Sequence, residues 1–457
     1  MLVLRVLPTL ALLATLASCS SDGPPPADTT RASAGAPPVA TGAYAPGTGP
    51  DPALPAPEQK LIPTLDIAPS IGWAEGAHPV PAAGFSVNAF VRGLDHPRTL
   101  YVLPNGDVLV AETNAPPKPD DAKGIKGAVM KSVMKKAGAG VSSPNRLVLL
   151  RDADGDGVAE MKTVFLKDLN SPFGMALVGN TFYVADTDAV LKFPYTPGAT
   201  SITTAPAKVA DLPAGPINHH WTKSLVASRD GSKLYVGVGS NSNAAENGIP
   251  AETGRATVTE IDATTGASRI FASGIRNPTA LALNPHDDAL WAVANERDEL
   301  GNDLVPDYLT SVREGAFYGW PYSYYGQHVD ARVKPQDPAR VASAIAPDYA
   351  LGSHVAPLGL AFYTGKLLAA RYRDGAFIGL HGSWNRKPKN GYTVVFVPFA
   401  NGKPSGPIEQ VLGGFVNENG DAQGRPVGVA VDARGAVLVA DDVGNAVWRL
   451  TPAATAP

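Results

Sequence analysis

Gly274-Ile-Arg-Asn-Pro-Thr-Ala-Leu-Ala-Leu-Asn-Pro-His-Asp-Asp-Ala-Leu-Trp-Ala-Val-Ala-Asn-Glu-Arg-Asp298 carries the pattern that decides the fold. Two short apolar runs flank a turn of Asn, Pro, His and Asp, residue types that tolerate the backbone angles of a tight reversal. The stretch reads as a β-hairpin. Arg276 and Asn277 stand just ahead of its first strand, and an acidic loop with Glu296, Asp298 and Glu299 follows its second. Charged groups at both ends of one apolar strand pair place a candidate site at one rim of a β architecture.

The same pattern recurs along the chain. It appears as Leu100-Tyr-Val-Leu-Pro-Asn-Gly-Asp-Val-Leu-Val-Ala-Glu112 and as Gly174-Met-Ala-Leu-Val-Gly-Asn-Thr-Phe-Tyr-Val-Ala-Asp186. It returns as Leu225-Val-Ala-Ser-Arg-Asp-Gly-Ser-Lys-Leu-Tyr-Val-Gly237 and as Gly428-Val-Ala-Val-Asp-Ala-Arg-Gly-Ala-Val-Leu-Val-Ala440. A weaker copy begins at Gly359-Leu-Ala-Phe-Tyr-Thr-Gly365 and resumes at Gly375-Ala-Phe-Ile-Gly-Leu380. With the opening stretch this makes six copies, and long helical patterns between them are absent. Regular hairpins in a chain rich in Gly and Pro predict an all-β fold, a six-bladed β-propeller. The spacing is too long for the coils of a β-helix, and the even recurrence does not suit two sandwiches.

A propeller gathers ligand groups on loops at one mouth of its channel. The segments just before the repeated strands are therefore the candidate site. They are His96-Pro-Arg98, Ser171-Pro-Phe173, His219-His220-Trp221, Arg276-Asn277-Pro278, His354 to Pro357, and Arg425-Pro426. Most carry Arg or His. Such a ring suits an anionic ligand together with a base.

The chain starts with a targeting pattern. Arg5 precedes an apolar run, and Leu16-Ala17-Ser18-Cys19 reads as a lipobox, so residues 1–19 are expected to be a lipoprotein signal ending at Cys19. That implies an exported bacterial lipoprotein, periplasm-facing and attached to the membrane by lipid alone. Cys19 is the one cysteine, so no disulfide forms and the core must carry the fold. Residues 20–80, rich in Pro, Ala, Gly and Thr, read as a disordered tether. Residues 81–453 remain for one large domain. The net charge of -4 carries no strong message, and with no basic stripe no nucleic-acid partner is expected. Lys123 to Lys136 reads as a short solvated amphipathic helix in an inserted loop.

Several motifs resemble the glucose/sorbosone dehydrogenase family, soluble quinoproteins that use pyrroloquinoline quinone (PQQ) on a six-bladed propeller. They are Asn218-His219-His220-Trp-Thr-Lys-Ser-Leu225, Gly274-Ile-Arg-Asn-Pro278, Gly315-Ala-Phe-Tyr-Gly-Trp-Pro321, Ala356-Pro-Leu-Gly-Leu-Ala-Phe-Tyr-Thr-Gly365 and His381-Gly-Ser-Trp-Asn-Arg386. The resemblance spans about Gly84 to Leu450 and is closer to the sorbosone-type branch. It implies oxidation of a sugar, sugar-derived aldehyde or alcohol, with hydride passing to the quinone and His220 as general base. It puts Arg276, Asn277 and Arg425 on cofactor-contacting positions. Val427 replaces a second family arginine, and a family lysine has no counterpart, so Arg386 or Lys387 is the expected substitute. His354 and Arg98 face the same mouth by position. The resemblance also makes residues 296–303 a calcium loop acting partly through its backbone, with Glu296, Arg297, Asp298 and Glu299. With no haem-attachment Cys-x-x-Cys-His, electrons leave to a separate acceptor, a cytochrome or the quinone pool.

Other readings stay open from sequence. His219 and His220 can be structural, and Arg276 can staple neighbouring blades. Asp152, Asp154 and Asp156 alternate as at the start of a calcium loop, with Glu160 able to complete it; an Asp-rich hairpin turn reads equally well. The rival functions are a calcium-dependent propeller hydrolase or lactonase and a non-catalytic binding lipoprotein.

Overall fold

The computed structural model describes residues 43–58, 64–117, 138 and 140–454. The signal segment and Lys123 to Lys136 lie outside the described residues. Six antiparallel sheets follow one another around a ring. Blade 1 is Pro97–Val102, Val108–Glu112, Arg146–Arg151 and Met161–Leu166. Blade 2 is Gly174–Val178, Thr181–Ala185, Ala189–Pro194 and Ala207–Asp211, and blade 3 is Lys223–Ala227, Lys233–Val238, Thr257–Asp262 and Ser268–Ser273. Blade 4 runs Pro278–Leu283, Leu290–Ala294, Pro306–Ser311 and Tyr349–Ser353, and blade 5 runs Pro357–Phe362, Gly375–Leu380, Thr393–Ala400 and Glu409–Gly413. Blade 6 takes Pro426–Val431, Val437–Asp441 and Ala446–Pro452 from the end of the chain, and its outer strand, Phe85–Arg92, from the beginning. The six repeats of the sequence are the inner two strands of the six blades.

The second strand of each pair is packed on both faces by neighbouring blades. Val108–Glu112, Leu290–Ala294, Gly375–Leu380 and Val437–Asp441 are buried at every position, which explains their continuous apolar runs. Between blades 4 and 5, for example, Trp291 stacks edge-on against Phe399 at 5.0 Å and against Phe362 at 6.3 Å. The repeated glycine near the first strand answers to crowding at the axis. A Cβ on Gly359 would lie 2.2 Å from the Val427 carbonyl oxygen, and one on Gly428 2.5 Å from that of Arg98.

A carboxylate after the second strand fixes the loop that enters the first. Glu112 accepts from the Asp95 N–H at 2.7 Å, Asp186 from Asn170 N–H at 2.8 Å, and Asp441 from Arg425 N–H at 2.8 Å. The repeated acidic ending of Leu-Val-Ala-Glu112, Tyr-Val-Ala-Asp186 and Leu-Val-Ala-Asp441 is thus a loop clamp.

The expected tether over residues 20–80 needs correction. The described parts, residues 43–58 and 64–80, pack on the propeller. Thr48–Gly49 adds a strand to blade 4 and Val80–Pro81 adds one to blade 5. Ala68 is fully buried, and Trp73 donates to Asp441 at 2.7 Å while lying edge-on to Trp448 at 5.5 Å. The composition is too poor in large apolar groups to fold alone. It needs only a few anchors once blade edges supply hydrogen-bond partners.

Gly359→Ala is expected to cost ~1–3 kcal/mol through overpacking at the axis. Urea unfolding measures it, and an unchanged midpoint would mean the inner strands can part without loss.

Candidate active site at one mouth of the channel

The lead-in loops do meet at one end. Hydrogen bonds cross every blade junction there. Ser171 N–H donates to Asn145 at 2.9 Å, the Thr187 hydroxyl to the Trp221 carbonyl at 2.9 Å, and Arg276 to the Asn243 side chain at 3.0 Å. Asn385 donates to Asp298 at 2.9 Å, His381 Nε2 lies 3.0 Å from Asp442, and Arg98 donates to Asp442 at 2.5 Å. A cavity of about 710 Å³ also follows the channel, lined by inner strands of all six blades. It reaches Gly179 and Arg229 to Gly231, the hairpin turns at the opposite end, and so lies away from these polar groups.

Two polar clusters form the mouth. In the first, Arg276 is buried and saturated: it donates to carbonyls of Asn243, Asn295 and Glu296 and to the Asp298 carboxylate at 3.0 Å. Burial works against a charge on Asp298, but Arg276, His354 and Asn385 outweigh it and hold the carboxyl well below its usual range. His354 has Nε2 2.9 Å from the Gly301 carbonyl and Nδ1 3.5 Å from Asp298. Burial opposes its charge too, yet Asp298 raises its pKa above the ordinary 6.5. Beside them Gly239 lets His220 and Asn277 close up, since a Cβ there would sit 2.4 Å from one and 2.5 Å from the other. Desolvation of the half-buried ring, then Arg276, His219 and Arg255, drive the His220 pKa well below 6.5. In the second cluster Asp442 takes Arg98 and His381, with His96 at 3.8 Å. Burial, then Arg425 and Arg98, push His381 down to about 4 despite that carboxylate.

The expected basic ring is therefore charge-balanced. Arg98 pairs with Asp442, Arg276 with Asp298, and Arg386 with Asp303 at 2.7 Å. Arg425 donates to the Ala68 carbonyl at 3.0 Å and lies over the Tyr392 ring at 5.1 Å. A buried cation without a partner is too costly to keep, so the fold supplies carboxylates that the lead-in pattern alone did not reveal. Polar atoms remain for a ligand. Arg98 Nε, Arg386 Nε, Arg425 Nε, Asn277 Oδ1 and Asn385 Oδ1 are buried with no hydrogen-bond partner among the described residues. Unpartnered guanidinium donors on residues of one mouth suit a ligand bearing several carboxylates, as PQQ does.

The calcium loop is less open than expected. Arg276 occupies the Glu296 carbonyl, Arg297 binds Asp330 and the Asp298 carbonyl, and Arg332 holds Glu299 at 2.6 Å. Glu296 keeps one buried carboxylate oxygen unpartnered among the described residues, and burial pushes its carboxyl up to about 7. Asp152, Asp154, Asp156 and Glu160, by contrast, bring oxygens within 4.8 Å of one another. That group lies in the outer hairpin of blade 1, at the end away from the mouth, where Arg434 reaches Asp152 at 3.4 Å.

A family model described as TrAA12-like matches residues 79–307 and 325–453. The chain belongs to this family. A relative, the pyrroloquinoline quinone-dependent pyranose dehydrogenase of Coprinopsis cinerea, is 24% identical over 378 residues, 72% of this chain and 47% of that protein. An uncharacterised protein of Borreliella burgdorferi is 29% identical over 247 residues, covering 52% of this chain and 62% of its own length. The chain thus spans less than two thirds of the length of these curated relatives. Among solved structures, the holo PQQ domain of the Coprinopsis cinerea pyranose dehydrogenase superposes with a TM-score of 0.66 at 20% identity, over 84% of this chain and 100% of that one. A calcium structure of a Trichoderma reesei carbohydrate-active enzyme of family AA12 gives 0.66 at 20%, over 85% and 99%. These likenesses establish the propeller for this TrAA12-like chain.

Sequence reading missed Ser240, Asn243 and Asp442, and left His381 and Asn385 inside a quoted motif with no role. Each follows a strand rather than preceding one. Their shared register after the second strand of a blade was the available signal.

The His354 and Asp298 shifts fix a pH window. The raised His354 stabilises fully below its ordinary 6.5 and loses this as pH rises through the folded value. The depressed Asp298 stabilises above its ordinary 3.8 and loses this as pH falls through the folded value. His354→Gln is therefore expected to destabilise most near about pH 5, on the order of 3 kcal/mol. The melting-temperature gap from wild type should shrink on the alkaline side; a gap independent of pH would remove the ion pair as its cause.

Proposed function

We propose that this chain is a PQQ-dependent oxidoreductase that oxidises a sugar, a sugar-derived aldehyde or an alcohol, with His220 as the general base. The observation that carries the reading is His220 itself: a half-buried imidazole whose pKa is held well below 6.5, sharing the Gly239 gap with Asn277 and beside Arg276, at the mouth of a TrAA12-like propeller. A neutral imidazole accepts a hydroxyl proton near neutral pH. The relative named for pyrroloquinoline quinone-dependent pyranose oxidation supports the cofactor and the sugar class.

When bound, the quinone supplies a two-electron acceptor for the hydride of the substrate C–H. Arg98, Arg386 and Arg425 would hold its carboxylates through their free Nε–H groups, and Asn277 and Asn385 would contact its polar edge. His220 takes the substrate hydroxyl proton at Nε2. Desolvation of the ring and then the positive charge of Arg276 keep His220 uncharged, and Arg276 also holds the Asp298 loop in place. Calcium belongs to the same reading, with the free Glu296 oxygen and the Asp152 loop as its two candidate places. The sorbosone-type preference, a separate electron acceptor, and export with lipid attachment at Cys19 complete it.

Purified protein loaded with PQQ and calcium should reduce a dye with some member of a panel of aldoses and L-sorbosone. His220→Ala should lower turnover by about 100-fold or more while leaving the absorbance change on quinone binding intact. No dye reduction and no absorbance change in the wild type would sink the proposal.

A further inference from the structure

The turn after the second strand of blade 3, Gly239-Ser-Asn-Ser-Asn243, joins the two halves of the first cluster. At one end, His220 Nδ1 lies 3.0 Å from the Ser240 carbonyl oxygen and 2.9 Å from Ser240 Oγ. At the other, Asn243 accepts from Arg276 Nε at 3.2 Å and Nη2 at 3.0 Å. Buried Glu252 pins the middle, taking the Ser242 hydroxyl at 2.6 Å and the Asn241 N–H at 2.6 Å.

The proton positions follow from the partners. The Ser240 carbonyl can only accept. The Ser240 hydroxyl proton is already directed at the Ser242 carbonyl, 2.6 Å away, so Ser240 Oγ also faces the ring as an acceptor. Two acceptors at Nδ1 require the ring proton there, which leaves the lone pair on Nε2. Other mouth imidazoles sit against carboxylates, His354 by Asp298, and His381 and His96 by Asp442. Among the described residues no carboxylate hydrogen-bonds His220; the charged and titratable groups that act on it are Arg276, Arg255 and His219.

We propose that Ser240 is a positioning residue for His220: its carbonyl and hydroxyl hold the ring as the Nδ1–H tautomer and present Nε2 to the substrate. A neutral partner orients the imidazole without the extra basicity that a carboxylate gives, so the base stays uncharged into mildly acid solution. The turn also ties this orientation to Arg276, so base and guanidinium keep a fixed relation. The kinetic part of the test rests on the oxidoreductase reading above; the titration part does not.

The test is nitrogen NMR of histidine-labelled full-length protein without cofactor, with His220 assigned by its absence in His220→Gln. Wild type should show the Nδ1–H tautomer and no protonation until well below neutrality. Ser240→Asp should raise the His220 titration by about one to three units. In the loaded enzyme, Ser240→Ala should lower kcat by roughly 10- to 100-fold with KM unchanged, and Ser240→Thr should restore most of it. An Nε2–H tautomer in the wild type, or a His220 titration unmoved by Ser240→Asp, would overturn the proposal. The predicted titrations in a protein that oxidises no sugar would uphold it and overturn the oxidoreductase reading instead.

Discussion

The structure depends on one strand pairing. Phe85–Arg92, from the start of the domain, hydrogen-bonds along Ala446–Pro452, from its end. That antiparallel ladder turns a row of five complete sheets and one incomplete one into a closed ring. Only a closed ring brings blade 6 against blade 1, and only then do Arg98 and Asp442 meet. The residues involved are separated by nearly the whole domain, so the site is as non-local as the closure that makes it. Residues 43–58 and 64–80 extend the same device, adding strands to blades 4 and 5 and a tryptophan to the Asp441 clamp.

Inside the ring the governing constraint is the cost of burying charge. The mouth gathers guanidinium, imidazole and carboxylate groups that are largely buried, and Arg98, Arg276 and Arg386 have each found a counter-charge. Partner identity then sets three histidines to different states. His354 gains basicity from Asp298; His381 loses it because Arg425 and Arg98 add to the effect of burial; His220, beside Arg276 and held by an uncharged serine, stays neutral. The polar atoms left over, chiefly the Nε groups of Arg98, Arg386 and Arg425, are what the mouth offers a ligand.

The repeat was legible in sequence because its causes are local. Turn chemistry between apolar runs, and glycine where inner strands crowd the axis, write the same pattern into Gly174, Gly359 and Gly428. The lead-in residues were legible for the same reason: they occupy one register in each copy. The tether reading over residues 20–80 went astray because composition reports what a segment does alone, not what edges a neighbour offers it.

By itself, then, the amino-acid sequence determined the number of blades, the inner hairpins and the loops that face one mouth, since hydrophobic period and turn residues act over a few positions. Tertiary structure alone decided how the charges pair. Asp298 selects Arg276, His354 and Asn385 from three loops, and Asp442 selects Arg98 from the start of blade 1 and His381 from the loop that also carries Asn385. Electrostatic energy depends on distance and on how much water is excluded, and both are fixed only when the ring closes.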